Sequence, residues 1–306
     1  MTTRPLLAAG CVVAAMALIG LVDNLVGMIA ARAGLWQFHF LRAAMALAFL
    51  AVAAPLLGLS LRPRRVWAAA LRGSFIAISM LFYFGALSFM SVAEASAGMF
   101  TAPIFVMAIT VLVLRQRVPM LNVAAGLIAF CGALLVLQPD VTGGTLARLM
   151  PLGGAFFYAC GAVVTRRLCA QEGTLALLTA FFTALLIIGA VGAAGLAMSA
   201  TAAADGADGF MLRAWGPMTP TLWWLIAAQA VGSVIGVGLL TRAYLLAEAP
   251  YVAVFEYVLL IFASAWTWVL WGQALNGTAW LGIGLIFGSG LLLARAERRS
   301  RPHIGT

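Results

Sequence analysis

Residues Gly126–Leu137 read GLIAFCGALLVL, and a near copy, GLIFGSGLLLA, begins 158 residues later at Gly284 and ends at Ala294. Shortly upstream of each copy lies a glutamine, Gln116 in the first case and Gln273 in the second. The matched glycine spacing and the matched glutamines favour an internal duplication, although two apolar helices can also resemble one another by chance. A duplication with this offset divides the chain into two units of similar length.

The composition indicates a polytopic membrane protein. The chain has 306 residues, of which 64% are hydrophobic and only 9% are charged, and its mean hydropathy is +1.08. A water-soluble domain carries roughly 25% charged residues, so no soluble fold fits this sequence. Apolar runs of about 20 residues, the length that crosses a bilayer core, follow one another along the chain. We predict ten spans, at residues 6–30, 35–58, 67–88, 94–114, 119–137, 149–168, 174–197, 221–244, 250–271 and 278–294.

The number of spans in each repeat determines the predicted architecture. Because five is odd, the second unit has to enter the membrane from the side opposite to the first. The predicted fold is therefore an all-α membrane protein with ten transmembrane helices, arranged as two inverted five-helix repeats. We place the first repeat at residues 1–140, the second at 149–298 and a cytoplasmic tail at 299–306. In secondary transporters of this architecture, substrate binds near mid-membrane where the halves meet.

The arginines predict the orientation of the chain. All 18 basic residues are arginine, and they sit mainly in short clusters between apolar runs. With the amino terminus in the cytoplasm, 14 of them, including Arg72, fall on the cytoplasmic side, whereas three, Arg32, Arg148 and Arg213, fall on the other side. This excess marks the cytoplasmic face, so we expect a multi-pass protein of the inner membrane with both termini in the cytoplasm.

One arginine, Arg42, lies inside an otherwise apolar stretch, where an arginine at the centre of a span costs about 2.5–3.5 kcal/mol. Asp23 in the preceding span lies at a similar predicted depth, on the order of 10–12 Å below the outer surface. An ion pair between the two side chains would offset much of the desolvation cost, and His39 lies one turn from Arg42. Two interpretations stay open: the pair locks spans 1 and 2 together, or it lines an aqueous pathway and contacts an anionic group or a proton.

An acidic residue in span 9 and a proline in span 4 are further candidates for the pathway. Glu256 lies about two turns into span 9, with the small residues Ala249 and Ala253 on its helix face. We expect Glu256 to carry a coupling proton or to contact substrate. Pro103 falls in the middle of span 4, where it removes a backbone hydrogen bond and should kink the helix. Such a kink either shapes a cavity or is simply packed by neighbouring helices.

Two further sets of residues complete the prediction. Tyrosines within spans are candidates for stacking or cation–π contact with a solute, although most aromatic side chains in such helices only pack; these are Tyr83, Tyr158 and Tyr257. Six glycines are predicted to allow close approach between helices, namely Gly20, Gly27, Gly232, Gly236, Gly284 and Gly288.

Features of enzymes are missing from the sequence. The two histidines, His39 and His303, cannot form a multi-histidine metal site, and the absence of lysine excludes Schiff-base chemistry. No glycine-rich phosphate loop is present, so ATP is not the expected energy source. We expect no catalytic residue, metal or cofactor. The expected partners are a small-molecule solute and the lipid bilayer, and not nucleic acid.

The order of the motifs resembles the EamA branch of the drug/metabolite transporter superfamily over essentially the whole chain. In the first half, LVDNLVGMIAARAGLWQFHFLRAAMA and FYFGALSFMSVAEASAGMFTAPIFVMAITVLVLRQRV are similar to the family's units of spans 1–2 and 3–4. In the second half, GAVVTRRLCAQEGTLAL and LLTRAYLLAEAPYVAVFEYVLLIFA follow the corresponding elements. The resemblance implies two inverted five-helix repeats that move small organic solutes, such as amino acids and their derivatives, S-adenosylmethionine or riboflavin, by alternating access.

Two departures from the family pattern bear on mechanism. Gly27 stands where the family has a lysine, and Gln116 and Gln273 stand where it has glutamates. These losses argue against proton coupling through those positions and leave Asp23 and Glu256 as candidates. The sequence therefore predicts a secondary transporter of a small metabolite, with a non-transporting membrane sensor or assembly protein and a polytopic membrane enzyme as alternatives.

Overall fold

A computed structural model describes residues 4–56, 58–86, 92–138, 149–198, 209–272 and 276–299 of the protein. All regular secondary structure in these ranges is helical, which confirms the prediction of an all-α membrane protein. The helices are α1 (Pro5–Asp23), α2 (Val26–Ala30), α3 (Leu35–Leu56), α4 (Val66–Ala86), α5 (Val92–Met99), α6 (Ala102–Ala108), α7 (Met120–Leu137), α8 (Met150–Arg167), α9 (Thr174–Ala197), α10 (Pro220–Leu246), α11 (Ala249–Phe255), α12 (Val258–Trp271) and α13 (Gly277–Arg299). A π-helical turn, Ile109–Val113, continues α6.

Nine helical segments within the described ranges are long and apolar enough to cross a membrane. They are Pro5–Ala30, Leu35–Leu56, Val66–Ala86, Ala95–Val113, Met120–Leu137, Thr174–Ala197, Pro220–Leu246, Ala249–Leu270 and Gly277–Arg295, and they coincide with nine of the ten predicted spans. The other predicted span, 149–168, forms α8. Arg166 and Arg167 close this 18-residue helix and lower its mean hydropathy, so by length and composition it is not among the nine.

Three of the membrane-crossing segments are interrupted. The first breaks at Asn24, directly after Asp23, and separates α1 from α2. The segment Ala95–Val113 breaks at Phe100, between α5 and α6, and the segment Ala249–Leu270 breaks at Glu256, between α11 and α12. A break inside a membrane frees backbone groups that have to be satisfied by other parts of the protein. Pro103 is the second residue of α6, where a proline has no helical hydrogen bond to remove, so the break precedes the proline.

The most extensive helix–helix contacts join the first part of the chain to the second. Helix α7 packs along α13, α1 along α10, α4 along α8, and α3 along α9. Helix α4 also contacts α9, and α3 also contacts α10. The helices before residue 138 and those after residue 149 are therefore interleaved along their whole length, and the largest apolar cluster combines residues of α1, α7, α8 and α11.

The predicted glycine contacts divide into two groups. Three glycines lie where a Cβ would press on a neighbouring helix: Gly20 on Ala263, Gly232 on Val22 and Gly236 on Ile19. At the other three positions, Gly27, Gly284 and Gly288, no atom of another described element lies within 4 Å of an added Cβ. This finding corrects the packing prediction for those three. Their spacing resembled a packing motif, but the faces on which they lie are not the ones in contact.

A segment between α9 and α10 docks on the hairpin that connects the first two spans. We call this segment, residues 209–219, the strap. The side chain of Phe210 is fully buried, and its ring centroid lies 6.4 Å from that of Phe38 in α3. Its carbonyl oxygen accepts a hydrogen bond of 2.7 Å from the backbone N–H of Leu35. The strap is therefore attached at the start of α3 through both its backbone and its core.

Two polar side chains strengthen this attachment, one contributed by the strap and the other by α3. Arg213 of the strap donates through Nη1 to the carbonyl oxygens of Ala30 (2.9 Å) and Ala33 (3.0 Å). Gln37 of α3 donates to the carbonyl oxygen of Gly216 (2.9 Å) and accepts from its N–H (3.0 Å). The strap thus closes over the α2–α3 hairpin with hydrogen bonds contributed by both partners.

Replacement of Gly34 by alanine should undock the strap. A Cβ at this position would collide with the backbone carbonyl of Arg213, and relief of the collision should cost about 1–3 kcal/mol. We expect a lower unfolding temperature of the purified protein and faster tryptic cleavage after Arg213. Gly27→Ala is the matched control, because a Cβ there meets no atom within 4 Å. Equal cleavage rates in the two variants would contradict the docking described here.

Candidate functional site

A cavity of about 170 Å³ lies between the helices of the first and second parts of the chain. Six of the eight predicted pathway residues line it: Asp23, Arg42, Tyr83, Pro103, Tyr158 and Glu256. The rest of the wall is mainly apolar, with methionine, isoleucine, leucine, valine and phenylalanine side chains. A largely apolar pocket with a few convergent polar groups is the usual form of a small-molecule site.

Arg42 is buried, with 4% of its surface exposed, yet it has few hydrogen-bond partners. Its Nη2 atom lies 3.4 Å from Nδ1 of His39, and its guanidinium carbon lies over the rings of Phe38 and Phe84, 4.9 and 5.3 Å from their centroids. Its Nε atom has no hydrogen-bond partner among the described residues. Because a guanidinium carries five N–H donors, Arg42 retains donor capacity that an acceptor in the cavity can use.

The predicted ion pair between Asp23 and Arg42 is not formed. Both side chains line the cavity, but no nitrogen–oxygen distance of 4 Å or less joins them in the described part of the chain. Asp23 ends α1 and lies beside the amide of Gln229, whereas Arg42 is held by aromatic rings and by His39. Equal depth in the membrane was the basis of the prediction. Depth does not determine the direction in which each side chain points.

A second polar cluster surrounds Glu256. The hydroxyl of Tyr244 donates a short hydrogen bond to Oε1 of Glu256, and Tyr158 reaches the same carboxyl group. Tyr244 was not predicted as a site residue because it lies near the end of a span, at a position where sequence alone cannot show that it faces Glu256. The cavity thus has two polar clusters: one contains Asp23 and Arg42, the other Glu256 and its tyrosines.

The other two predicted residues do not line the cavity. His39 is fully buried beside Arg42, and its Nε2 atom has no hydrogen-bond partner among the described residues. Tyr257 is also fully buried: its hydroxyl donates to the carbonyl oxygen of Phe100 at 2.7 Å, and the two rings stack at 5.5 Å. Tyr257 therefore satisfies a carbonyl at the helix break of the fourth span. Its position indicates a structural contact between two breaks.

Arg72 lies inside α4, within the range of the predicted span 67–88. It is 4% exposed and donates through Nε to Thr165 (3.2 Å), through Nη1 to the carbonyl of Leu177 (3.2 Å) and through Nη2 to Thr241 (2.8 Å). One side chain therefore joins α4 to α8, α9 and α10. It lies one turn before Ile76, which lines the cavity.

Comparisons with known proteins agree with this architecture. The sequence model of the EamA-like transporter family matches residues 6–138. This match confirms the predicted resemblance to the EamA family over these residues. The matched region includes the first five predicted spans and, of the cavity residues, Asp23, Arg42, Tyr83 and Pro103.

Several curated relatives are transporters by name. The pseudopaline exporter CntI of Pseudomonas aeruginosa is 26% identical over 228 residues, which are 74% of either chain. A riboflavin transporter of Vibrio cholerae is 27% identical over 61% of this chain and 57% of its own length. A riboflavin transporter of Rhizobium johnstonii is 27% identical over 88% of this chain and 82% of its own.

The fold is also similar to that of a protein of known crystal structure. The TM-score is 0.73 at 17% sequence identity, and the superposition covers 98% of this chain and 99% of the other. At this identity the similarity concerns the fold alone. It extends beyond residue 138, so the EamA-like part and the rest of the chain together adopt a known arrangement of helices.

Replacement of Tyr257 by phenylalanine should destabilise the protein while the ring stacking persists. The carbonyl of Phe100 would lose its buried donor, and an unsatisfied buried acceptor costs about 1–3 kcal/mol. The thermal unfolding midpoint in detergent is the measurement. Tyr83→Phe is the control, because the Tyr83 hydroxyl contacts only Ser96 (3.3 Å) at the cavity wall, where water can replace it. A midpoint of Tyr257→Phe at or above that of Tyr83→Phe would contradict this role.

Proposed function

We propose that the protein is a secondary transporter that moves a small organic metabolite across the inner membrane by alternating access, with the metabolite bound in the central cavity. The observation that carries this proposal is the cavity itself, which lies between the two parts of the chain and is lined by both Arg42 and Glu256. The transporter names of the relatives and the match to the EamA-like family support the same class of function.

The proposed architecture is two inverted five-helix repeats, residues 1–140 and 149–298, followed by a cytoplasmic tail at 299–306. The helix contacts support it. Exchange of every span with the one five places away converts the α1–α10 contact into the α4–α8 contact, and the α4–α9 contact into the α3–α10 contact. All four contacts are present. Phe100 and Tyr257, which lie in two of the helix breaks, are 157 residues apart, the offset of the paired glutamines, and they contact each other.

Alternating access requires a closure on each side of the cavity. We assign the strap to the outer closure, because the arginine distribution places the loop after span 7 outside and both termini in the cytoplasm. The buried Arg72, which joins α4 to three helices of the second half, belongs to the inner closure. In this scheme the strap leaves the α2–α3 hairpin when the outer side opens, and the Arg72 contacts are exchanged when the inner side opens.

Arg42 is the proposed contact for the substrate, which should carry a carboxylate or another anionic group. Among the residues that the structure describes, its guanidinium has one hydrogen-bonding neighbour, His39, and it lines the cavity. Arginine pairs well with planar oxyanions because its N–H donors form a fixed fork. The apolar remainder of the wall suits an uncharged, partly hydrophobic body of the same molecule.

The proposal can be tested on the purified protein. A thermal-shift screen against pools of metabolites should find a stabilising solute, and that solute should cross the membrane of proteoliposomes that contain the protein. Binding without flux would favour a sensor over a transporter. Chemical conversion of the solute without flux would favour a membrane enzyme.

Arg42→Ala should abolish transport while the protein still reaches the membrane. Loss of a charge-assisted hydrogen bond of about 1.5–3 kcal/mol should weaken solute binding roughly 10- to 100-fold. Solute-induced thermal shift and proteoliposome flux are the measurements. Arg32→Ala is the control, because Arg32 is exposed and contacts only the carbonyl of Met28. Failure of Arg42→Ala to fold or insert, with unchanged binding in Arg42→Lys, would assign Arg42 a purely structural role.

Glu256→Gln should remove accumulation driven by a pH gradient and spare solute exchange. Glutamine keeps an oxygen that can accept the hydrogen bond of Tyr244 but cannot carry a proton in this cycle. Counterflow and gradient-driven uptake are measured on the same vesicles. Glu248→Gln is the matched control, because Glu248 is 55% exposed and pairs with Arg166 away from the cavity. Unchanged pH-driven uptake in Glu256→Gln would exclude it as the proton carrier.

A further inference from the structure

A second pocket lies apart from the central cavity, where the start of α4 meets the turn between α8 and α9. Its volume is about 120 Å³, and it shares no lining residue with the central cavity. Three of its lining residues are arginines, Arg64, Arg65 and Arg167, and the acidic residue is Glu172. The pocket is far larger than the roughly 10–15 Å³ that one water molecule requires.

Glu172 holds the backbone of two residues that line this pocket. It is 7% exposed, and its two carboxylate oxygens accept the backbone N–H groups of Arg64 and Arg65, each at 2.7 Å. The carboxylate thus holds the chain before α4 in one conformation through the backbone. Neither arginine side chain is used in this contact, so both remain available to a ligand.

The three guanidinium groups are unpaired among the described residues. No hydrogen bond or ion pair of the side chains of Arg64, Arg65 or Arg167 occurs there. The adjacent Arg166 differs, because it donates to the carbonyl of Leu245 (3.1 Å) and to Glu248 (2.8 Å). With three arginines and one carboxylate, the pocket keeps an excess of positive charge.

The surroundings of the pocket indicate where its ligand comes from. Val66 and Trp67, which follow Arg65 directly, are 67% and 60% exposed, and they open a helix that is long and apolar enough to cross the membrane. Exposed tryptophan at the end of such a helix is typical of the headgroup level of the bilayer. The unpaired arginines therefore lie at the depth where lipid phosphates are found.

We propose that this pocket binds the phosphate of an anionic phospholipid headgroup. Arginine forks match phosphate oxygens, and basic pockets between membrane helices on the cytoplasmic side are suited to acidic headgroups. The bound lipid contacts the start of α4 from one side and the α8–α9 turn from the other. It therefore bridges the two parts of the chain close to the helices that Arg72 connects.

The test uses full-length protein in an uncharged detergent. Phosphatidylglycerol and phosphatidylcholine are added at equal mole fractions, and the unfolding temperature and the number of retained lipids by native mass spectrometry are measured. We expect phosphatidylglycerol to raise the unfolding temperature by several degrees and to be retained, with no such effect from phosphatidylcholine. Equal effects of the two lipids would overturn the proposal.

Substitution of the pocket arginines tests whether the lipid binds in this pocket. The triple variant Arg64→Gln, Arg65→Gln, Arg167→Gln should bind phosphatidylglycerol at least about tenfold more weakly, as expected for lost charge-assisted hydrogen bonds. A control with the same loss of charge replaces three exposed arginines outside the pocket, Arg115→Gln, Arg117→Gln and Arg295→Gln, and should keep the affinity. An equal loss of affinity in the two variants would indicate attraction by overall charge and would contradict binding in the pocket.

Two further measurements keep the test decisive. If the triple variant does not fold, the single variant Arg167→Gln, which changes an exposed side chain at the end of α8, should still weaken phosphatidylglycerol binding severalfold. Unchanged binding in that variant would count against the pocket. Inorganic phosphate at millimolar concentration should neither stabilise the protein nor displace the lipid. Stabilisation by phosphate alone would identify a soluble phosphate compound as the ligand and overturn the lipid assignment.

Discussion

In the hydrocarbon core of a membrane no water can donate a hydrogen bond to a backbone carbonyl. Each carbonyl that also lacks a protein donor costs several kcal/mol of folding free energy. This constraint shapes the bundle, because three of the segments that are long and apolar enough to cross a membrane are interrupted. Side chains from the other half of the chain donate hydrogen bonds at two of these breaks. Gln229 of α10 donates to the carbonyl of Val22 at the end of α1 (2.7 Å), and Tyr257 donates to that of Phe100 (2.7 Å). Neither half can therefore place its broken helices in lipid alone.

The dependence of the broken helices on the other half of the chain also explains why the charged side chains meet at the central cavity. A charge in the membrane is tolerated where it faces protein or water, and the breaks create such places at the boundary between the halves. Asp23 is the last residue of α1 and Glu256 follows the last residue of α11, so each acid lies at a break and lines the cavity. Arg72 is accommodated differently, by three hydrogen bonds to uncharged acceptors on three helices. It is fully engaged within the protein, whereas Arg42 is not.

The sequence predicted the elements more completely than the contacts. In the described residues helices occupy the ranges of all ten predicted spans, and nine of these are long and apolar enough to cross a membrane. Asp23, Arg42 and Glu256 were identifiable because isolated charges in apolar runs are conspicuous. The direction of a side chain around its helix was not predictable, since nearly every face of these helices is apolar. For that reason Tyr257 was expected in the pathway, where it is absent, and Tyr244 was missed. Arg72 was counted on the cytoplasmic side because it lies near the end of a predicted span, and its hydrogen bonds to three other helices could not be read from the sequence.

Phe38 connects the proposed outer closure to the proposed binding group. Its ring contacts Phe210 of the strap on one side and lies under the guanidinium of Arg42 on the other. Cation–π contact contributes about 0.5–2 kcal/mol, which offsets only part of the cost of a buried guanidinium, and an anionic ligand can supply the rest. A ligand shifts a conformational equilibrium only by its different affinity for the two states. If the strap moves in the proposed cycle, that movement changes the packing of the ring that supports Arg42, and the affinity for an anion would then differ between the docked and the undocked strap. We therefore propose that the docking of Phe210 and the occupancy of Arg42 are coupled through the side chain of Phe38.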